Sequence, residues 1–378
     1  MGSFLLALHD AGGTVPPMMA IAQALVARGH TVTALGQPSV ERPARRAGCD
    51  FVAFTAPDYE TDRPIEEQLE TAMELMAGKT PGDELLRTIE ATGAEVVVVD
   101  ANLAGVAAAA ESSPCRSAVL FHSLYATYVD TWFGDLWPFV SPAINETRAA
   151  YGLQAAESWN EVFSPHHRRY AVVPAVFEAA TSPEPPPIEH FGFLVPAAGE
   201  PDGPLELGGR YEHSVLVSLS TTDLDQGPLM QTILDALDGL AVDALVTTGR
   251  QRFDESLRLP PNVVVRGHVP HASVLPHVDA AITHAGMGTV AAALSHGVPL
   301  VCTPISRDQP LNAQRVTDLG AGLAVPAASA TPELVRAAVE QVLSDPSHRA
   351  AAQRLAEARA DAGGATALAA DLETLIQP

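Results

Sequence analysis

At 378 residues, the chain exceeds the roughly 250 to 300 residues at which one hydrophobic core stops growing, so two domains are expected. Its composition, 47% hydrophobic and 18% charged, is typical of a soluble globular protein. The formal net charge of -23 argues against a nucleic-acid partner and against stable membrane association, because both need a basic surface and the 22 Lys and Arg form no cluster.

The three cysteines, Cys49, Cys115 and Cys302, are odd in number and widely spaced, as expected of thiols in a reducing cytoplasm. The N-terminal segment lacks the basic region and the long apolar core of a signal peptide, and no apolar run of about 20 residues could span a bilayer. We therefore expect a cytoplasmic protein. The sequence leaves the oligomeric state open and is compatible with a homodimer.

The N-terminal half alternates short apolar runs with helix-length segments, which predicts parallel βα units. The runs are SFLLAL, TVTAL, EVVVVD (95–100) and SAVLFH (117–122), with a helix from about Pro16 to Arg28 after the first. VAFTAPDYETDRP reads as a turn-rich connection. Residues 123–170 are rich in aromatic residues without a strand pattern. They predict irregular helices and loops that either surround an apolar cavity or pack as ordinary core.

A Pro-, Gly- and acid-rich segment, residues 181–210, contains one strand-like run, IEHFGFL, and predicts a linker at 196–210. After it the alternation restarts with SVLVSLS, a helix from about Gln226 to Leu240, DALVTTG, NVVVRG, AAITH, PLVCTP and GLAVP. The fold class is therefore α/β, with two Rossmann-like doubly wound domains at 1–195 and 211–360. The tail is helical, and Gly363 and Gly364 mark a break before a last helix at 361–378.

The stretch ITHAGMGTVAAALSHGVPL (282–300) passes from a strand through a glycine-containing turn into a helix. In such sheets, ligands bind beyond the carboxyl ends of the strands, where the N-terminus of a helix offers free N–H groups and partial positive charge. Gly286 and Gly288 would let these amides approach a phosphate, and His284 and Thr289 could donate further hydrogen bonds. Alone, this pattern is weak, because glycines at such turns more often serve packing.

The next strand and loop strengthen the hypothesis, because they place Asp308 and Gln309 at the mouth of the predicted phosphate site. A carboxylate beside a diphosphate is unfavourable unless it accepts hydrogen bonds from hydroxyl groups. A sugar supplies such hydroxyls. The residues therefore predict a nucleotide-diphosphate sugar as ligand.

The stretch THAGMGTVAAALSHGVPLVCTPISRDQPLNAQRV, preceded by VVVRGHVPHASVLPHVDAAI, resembles the donor signature of family 1 glycosyltransferases, and VPPMMAIAQALVARGHTVTAL resembles the opening helix and second strand of that family. The resemblance implies a GT-B fold: two domains facing a cleft, an acceptor in the N-terminal domain, a donor in the C-terminal domain, and a last helix that packs back on the first domain. It also implies inverting, metal-independent sugar transfer with no cofactor beyond the NDP-sugar co-substrate.

The resemblance assigns donor contacts residue by residue. It implies that the diphosphate is bound by His284, Gly286, Met287, Gly288 and Thr289, with Ser220 and Thr221 nearby. The nucleotide base is expected to contact Val269 and His268, the latter at a position where plant members have a stacking Trp. Asp308 and Gln309 are expected to hold the sugar hydroxyls. Ala292 stands where many members have a ribose-binding Glu. This departure weakly favours a dTDP-linked deoxysugar over a UDP-sugar.

A second departure concerns the general base, which the family provides as a histidine. That position is Thr14 here, although the partner aspartate of the family is matched by Asp100. A neutral threonine cannot take a proton, and a positioned base is worth about 10²- to 10⁴-fold in rate. Either Asp100 acts directly, or His9, Asp10 or His122 substitutes, or the acceptor is acidic enough to need little help.

The acceptor is expected to be a small apolar natural product, bound by aromatic residues of the N-terminal half (Tyr125, Trp132, Phe133, Trp137). Thirteen histidines are present, but their spacing does not fit a metal site. Two other functions remain open. One is a non-catalytic auxiliary protein of a partner transferase, which the loss of the histidine at position 14 favours. The other is a sugar-nucleotide epimerase of related fold.

Overall fold

The structure, a computed structural model, describes residues 1–11, 13–55, 65–163, 166–180, 187–196, 207, 209–220, 226–249, 256–267 and 269–376. Internal contacts divide the chain into two compact units. Unit 1 comprises Met1–Pro196 and Ala362–Pro378, and unit 2 comprises Ala197–Asp361. The division falls at the start of the predicted linker and again just before the last helix.

Unit 1 alternates strands and helices along most of its length. Its elements are β1 (Ser3–Ala7), α1 (Val15–Ala27), β2 (Thr31–Gly36), a 3₁₀ turn (Pro38–Val40), α2 (Glu41–Arg46), β3 (Asp50–Ala53), α3 (Ile65–Ala77), α4 (Lys79–Thr92), β4 (Val96–Asp100), α5 (Ala104–Ser112), β5 (Arg116–Phe121), α6 (Tyr125–Val129), α7 (Trp132–Ala150), α8 (Trp159–Val162), β6 (His167–Ala171), a 3₁₀ turn (Ala175–Phe177) and β7 (Glu189–His190).

Unit 2 repeats the alternation. Its elements are β8 (His213–Ser218), α9 (Gly227–Leu237), β9 (Val242–Thr247), β10 (Val263–Arg266), α10 (His271–Val274), a 3₁₀ turn (Leu275–His277), β11 (Ala280–Thr283), α11 (Met287–Ser295), β12 (Leu300–Cys302), α12 (Gln309–Asp318), β13 (Gly322–Ala324), a 3₁₀ turn (Ala327–Ser329), α13 (Pro332–Ser344) and α14 (Pro346–Asp361). The last helix, α15 (Gly364–Glu373), belongs to unit 1.

Each unit contains one parallel sheet. Within the described residues, the strand order is β3-β2-β1-β4-β5-β6-β7 in unit 1 and β10-β9-β8-β11-β12-β13 in unit 2. In both sheets the order reverses beside the first strand, which is the topological switch point where ligands of such folds bind. The predicted fold class, two doubly wound α/β domains, is confirmed.

The central strands are buried because helices cover parallel sheets on both faces, which explains their continuous apolar runs. All four valines of β4, residues 96–99, are fully buried, as are Val215 and Val217 of β8. α15 packs on α1, where Glu373 accepts from Arg28 Nη2 at 2.5 Å and contacts His30 Nε2 at 2.6 Å. These contacts anchor the C-terminal helix to unit 1.

One strand was missed and one is shorter than predicted. The segment read as a turn-rich connection, residues 52–64, begins with the last two residues of β3, whose residues are mostly exposed and so lack the apolar pattern of a central strand, and its residues 56–64 lie outside the described part of the chain. The strand predicted in IEHFGFL is present, but only as the two-residue β7 at the edge of the sheet. In contrast, 123–170 is largely helical, and α7 runs through Pro138 and Pro142.

The described cysteines are free thiols, and burial raises the pKa of Cys49 and Cys302 to about 12. Such thiols stay protonated and inert at neutral pH. Among the helices of the described residues, none is both long and apolar enough to cross a membrane.

Candidate active site

The turn between β11 and α11 has the geometry of an anion site. Gly286 is the N-cap of α11 in an extended conformation, and no described side chain caps the helix. The first N–H groups of a helix have no intrahelical partner, so an uncapped N-terminus needs hydrogen bonds from solvent or a ligand. Gly288 lies in this first turn, with buried Met287 and Thr289 on either side, and Thr289 N donates to the Gly286 carbonyl at 3.0 Å.

His284 lies at the base of this turn as a neutral imidazole. Burial lowers the pKa of His284 to about 4, outweighing the nearby Asp308 carboxylate and the Ser218 carbonyl, which both favour the protonated form. Its Nδ1 is buried and has no hydrogen-bond partner among the described residues. A buried ring nitrogen without a protein partner is costly, and such a nitrogen is well suited to bonding a ligand.

Gly286 is required by the position of the imidazole rather than by an unusual backbone angle. A Cβ at this position would lie 2.4 Å from Nε2 of His284 and 2.9 Å from its Cε1. The φ of Gly286 is -62°, which any residue can adopt. The left-handed residue of the turn is instead Ala285, with φ of 64°.

A second loop, before α12, is tied to this turn by one buried side chain. Asn312 Nδ2 donates to the Ala285 carbonyl at 3.0 Å and to Asp308 Oδ2 at 2.9 Å. Arg307, beside Asp308, is the other described non-glycine residue with positive φ, at 60°. Strained residues of this kind persist where the surrounding structure holds them and cluster at functional sites. Sequence reasoning missed Ala285, Arg307 and Asn312, because no residue pattern marks positive φ in Ala or Arg.

Gln309 is buried and braces the same loop. Its Oε1 accepts from the backbone N–H groups of Ile305 at 2.9 Å and Ser306 at 3.1 Å. The side-chain carbonyl is therefore committed to the protein, and only the amide end can serve a ligand. Asp308 is half-buried as the N-cap of α12.

The remaining predicted donor residues fall in two groups. Buried Ser220 follows β8, and its backbone is held on both sides by Gln226, which accepts from Ser220 N at 2.9 Å and donates to Ser220 O at 2.6 Å. Val269 is half-buried just before α10. Thr221 and His268 lie outside the described residues.

In unit 1, the predicted catalytic residues follow the carboxyl ends of three neighbouring strands, β1, β4 and β5. Asp100 ends β4 and is fully buried, and its Oδ1 accepts from Asn102 N at 2.8 Å. The same Oδ1 lies 3.3 Å from Nδ1 of His122, directly after β5. Tyr128 Oη lies 2.9 Å from this Nδ1 and 3.4 Å from Nε2. The structure thus brings Asp100 and His122 together.

Thr14 does not present its hydroxyl as a catalytic group. It is fully buried at the start of α1, its Oγ1 donates to the His9 carbonyl, and it accepts from Ala11 N at 3.3 Å. Asp10 N donates to Gln37 Oε1 at 2.9 Å, so the turn after β1 is closed by local hydrogen bonds. His9 and Asp10 are half-buried in this turn.

The predicted acceptor residues belong to one aromatic cluster. Tyr125 is buried, meets Phe121 edge-on at 5.0 Å and donates its hydroxyl to Asn160. Phe133 stacks on Tyr128 at 4.8 Å with an interplanar angle of 4°, and half-buried Trp137 packs against Trp159. Trp132 begins α7, and its side chain lies outside the described part of the chain. Tyr125 is therefore a core residue, whereas Phe133 and Trp137 lie partly buried at the edge of the core.

In the described part of the chain, no three His, Cys, Asp or Glu side chains lie close enough together to hold a metal ion. The polar groups at the two candidate sites are the uncapped end of α11, His284 and Asp308 in unit 2, and the Asp100–His122 pair in unit 1.

Comparison with known proteins finds relatives of this chain among natural-product glycosyltransferases. Residues 231–375 match the family model described as erythromycin biosynthesis protein CIII-like, C-terminal domain. The chain is 36% identical to 3-alpha-mycarosylerythronolide B desosaminyl transferase of Saccharopolyspora erythraea over a segment covering 33% of this chain and 30% of that protein. It is 28% identical to 4'-demethylrebeccamycin synthase of Lentzea aerocolonigenes, over 93% of this chain and 94% of that one.

Two solved structures share the whole fold. The glycotransferase of kitacinnamycin matches with a TM-score of 0.83 and 24% identity, covering 100% of this chain and 99% of that one. The spinosyn rhamnosyltransferase complexed with thymidine diphosphate matches with a TM-score of 0.77 and 21% identity, covering 99% and 100%. The GT-B fold and the resemblance to glycosyltransferases are confirmed, and the named relatives support a glycosyltransferase enzyme.

Proposed function

We propose that this protein transfers a sugar, with inversion and without a metal ion, from a nucleoside-diphosphate donor to a small apolar natural-product acceptor. Unit 2 takes the donor and unit 1 takes the acceptor. The observation that carries the proposal is the turn at the start of α11, where an uncapped helix N-terminus coincides with the unpartnered Nδ1 of His284.

The turn would serve the leaving diphosphate. Negative charge grows on the phosphate oxygens as the sugar departs, and preorganised donors stabilise such charge most when they are already in place before the reaction. The backbone amides of the first turn of α11 and one N–H of His284 supply these donors. Because His284 is neutral at neutral pH, it contributes a hydrogen bond and a dipole rather than a full charge.

The sugar would be bound by the loop before α12. Asp308 can accept from sugar hydroxyls, while Gln309 can only donate through its amide, since its Oε1 is engaged by the loop. The donor is proposed to be a dTDP-deoxysugar. Buried Ala292 in α11 offers no acceptor for a ribose hydroxyl, and the solved spinosyn rhamnosyltransferase carries thymidine diphosphate.

The test is a transfer assay with dTDP- and UDP-sugars and a panel of macrolide and aromatic polyketide aglycones, with each reaction run both with and without EDTA. The expected result is a glycosylated product whose anomeric proton coupling shows inversion relative to the donor. Retention of configuration, or loss of transfer upon addition of EDTA, would overturn the mechanism. Nucleotide binding without transfer to any member of the panel would favour the auxiliary-protein function.

A further inference from the structure

We infer that His122 is the general base of the acceptor reaction and that Asp100 and Tyr128 are its positioning residues. The inference rests on the proposed function, because it assigns a role within the same reaction. It places the base after β5, whereas the family resemblance places it at position 14, at the start of α1.

The first argument is contact. Asp100 Oδ1 lies 3.3 Å from Nδ1 of His122, which suits a carboxylate that orients an imidazole and stabilises its positive charge after proton uptake. With the Nδ1 proton directed at Asp100, Nε2 carries the lone pair that can take the proton of the acceptor. The Tyr128 hydroxyl, 2.9 Å from Nδ1 and 3.4 Å from Nε2, contacts the ring from a second direction and holds it in place.

The second argument is access. The Asp100 side chain is 1% exposed and already accepts from Asn102 N, so it cannot itself contact an acceptor hydroxyl. The His122 side chain is 13% exposed. Of the two groups, only the imidazole reaches a surface.

The third argument is location. Tyr128 meets the His122 ring edge-on at 5.8 Å and stacks on Phe133, so the imidazole adjoins the aromatic cluster predicted to face the acceptor. Thr14, by comparison, is fully buried and its hydroxyl is bonded to the His9 carbonyl. Where the family has a histidine at position 14, this chain has Thr14, and the Asp100 carboxylate is instead paired with the imidazole of His122.

The chemical step follows. The acceptor oxygen forms a bond to the anomeric carbon of the donor sugar as its proton passes to Nε2 of His122. The bond from the anomeric carbon to the diphosphate oxygen breaks, and its electron pair leaves with the diphosphate. His122 ends the step as an imidazolium beside the Asp100 carboxylate, and it returns the proton to solvent.

The first experiment reads the tautomer of His122 by nitrogen-15 NMR of histidine-labelled full-length protein, with His122→Gln used to assign the signal. We expect the neutral form of the ring to carry its proton on Nδ1 in the wild type, and loss of this preference in Asp100→Asn. A ring protonated at Nε2 in the wild type, or a preference that Asp100→Asn leaves unchanged, would overturn the inference. This measurement requires no turnover.

The second experiment compares two probe acceptors of similar shape, 4-nitrophenol and 4-nitrobenzyl alcohol, with a dTDP-deoxysugar that the wild-type protein accepts as donor. At about pH 8 the phenol is largely ionised and needs little base catalysis, whereas the alcohol needs it fully. We expect His122→Gln to reduce kcat for the alcohol by about 10²- to 10⁴-fold and for the phenol by less than about tenfold, with KM for the donor unchanged. Equal losses for both acceptors would indicate a merely structural role and would contradict the inference.

Failure of the proposed function looks different. In that case dTDP would not bind to the wild-type protein, while the NMR measurement on His122 would still report the Asp100 contact. Normal dTDP binding by His122→Gln, measured by calorimetry, shows that unit 2 of the variant is intact.

Discussion

Substitution of Gly286 by Ala isolates the contribution of His284 to donor binding. The new Cβ would lie 2.4 Å from Nε2 of His284, a distance that real Cβ atoms do not adopt, so the imidazole must move. The backbone is not strained, because φ of -62° and ψ of 137° suit alanine. The expected cost is therefore the hydrogen bond from His284 to a charged phosphate, about 1.5–3 kcal/mol. This corresponds to a dissociation constant for dTDP raised about tenfold to a hundredfold.

The assay is calorimetric titration of dTDP into Gly286→Ala, His284→Ala and the double variant, with Gly227→Ala as control. A Cβ at Gly227, the first residue of α9, meets no atom within 4 Å, so this variant should bind like the wild type. If both single variants act through the imidazole, the double variant should bind no more weakly than His284→Ala alone. Wild-type affinity of Gly286→Ala, or additive losses in the double variant, would refute the reasoning.

Three further predictions concern Asn312, His167 and Thr14. Asn312→Ala removes the hydrogen bonds to the Ala285 carbonyl and to Asp308, and it should lower the free energy of unfolding by about 2–4 kcal/mol in urea titrations. An unchanged unfolding midpoint would contradict this prediction. Burial lowers the pKa of His167 to about 3, so its contribution to stability is full above the unfolded pKa of about 6.5 and is lost as the pH falls, by up to about 1.4 kcal/mol per pH unit. His167→Gln should therefore lose less free energy of unfolding between pH 6.5 and 4.5 than the wild type does, and parallel pH profiles would argue against this. Thr14→His should lower the melting temperature without raising kcat, because position 14 is fully buried; a tenfold gain in kcat would show that the position still serves as the base.

The sequence predicted the frame of the molecule well because parallel strands buried on both faces carry a strong local signal. Runs such as VVVV at 96–99 can be recognised without any tertiary information. The exposed edge strand β3 carries no such signal and was missed. The turn before α11 was also recognisable as a candidate anion site, since the glycines, His284 and the following helix are contiguous.

The sequence could not predict the contacts that complete each site. Asn312 bonds to Ala285, which lies 27 positions earlier in the chain. Asp100 and His122 are 22 positions apart, so their pairing depends on the order of strands in the sheet. His122 was one of several candidates for the base in the sequence, and nothing local distinguished it from His9. Only the adjacency of β4 and β5 brings its ring to the Asp100 carboxylate.

The most direct test of the central claim is calorimetric titration of the full-length protein with dTDP in the presence of EDTA, with UDP and GDP for comparison. A helix N-terminus and a neutral imidazole supply donors without a metal ion, so we predict saturable binding of dTDP that EDTA does not weaken, tighter than binding of GDP. Absence of binding by dTDP and UDP, or binding that EDTA abolishes, would contradict the assignment of the α11 turn as a nucleoside-diphosphate site.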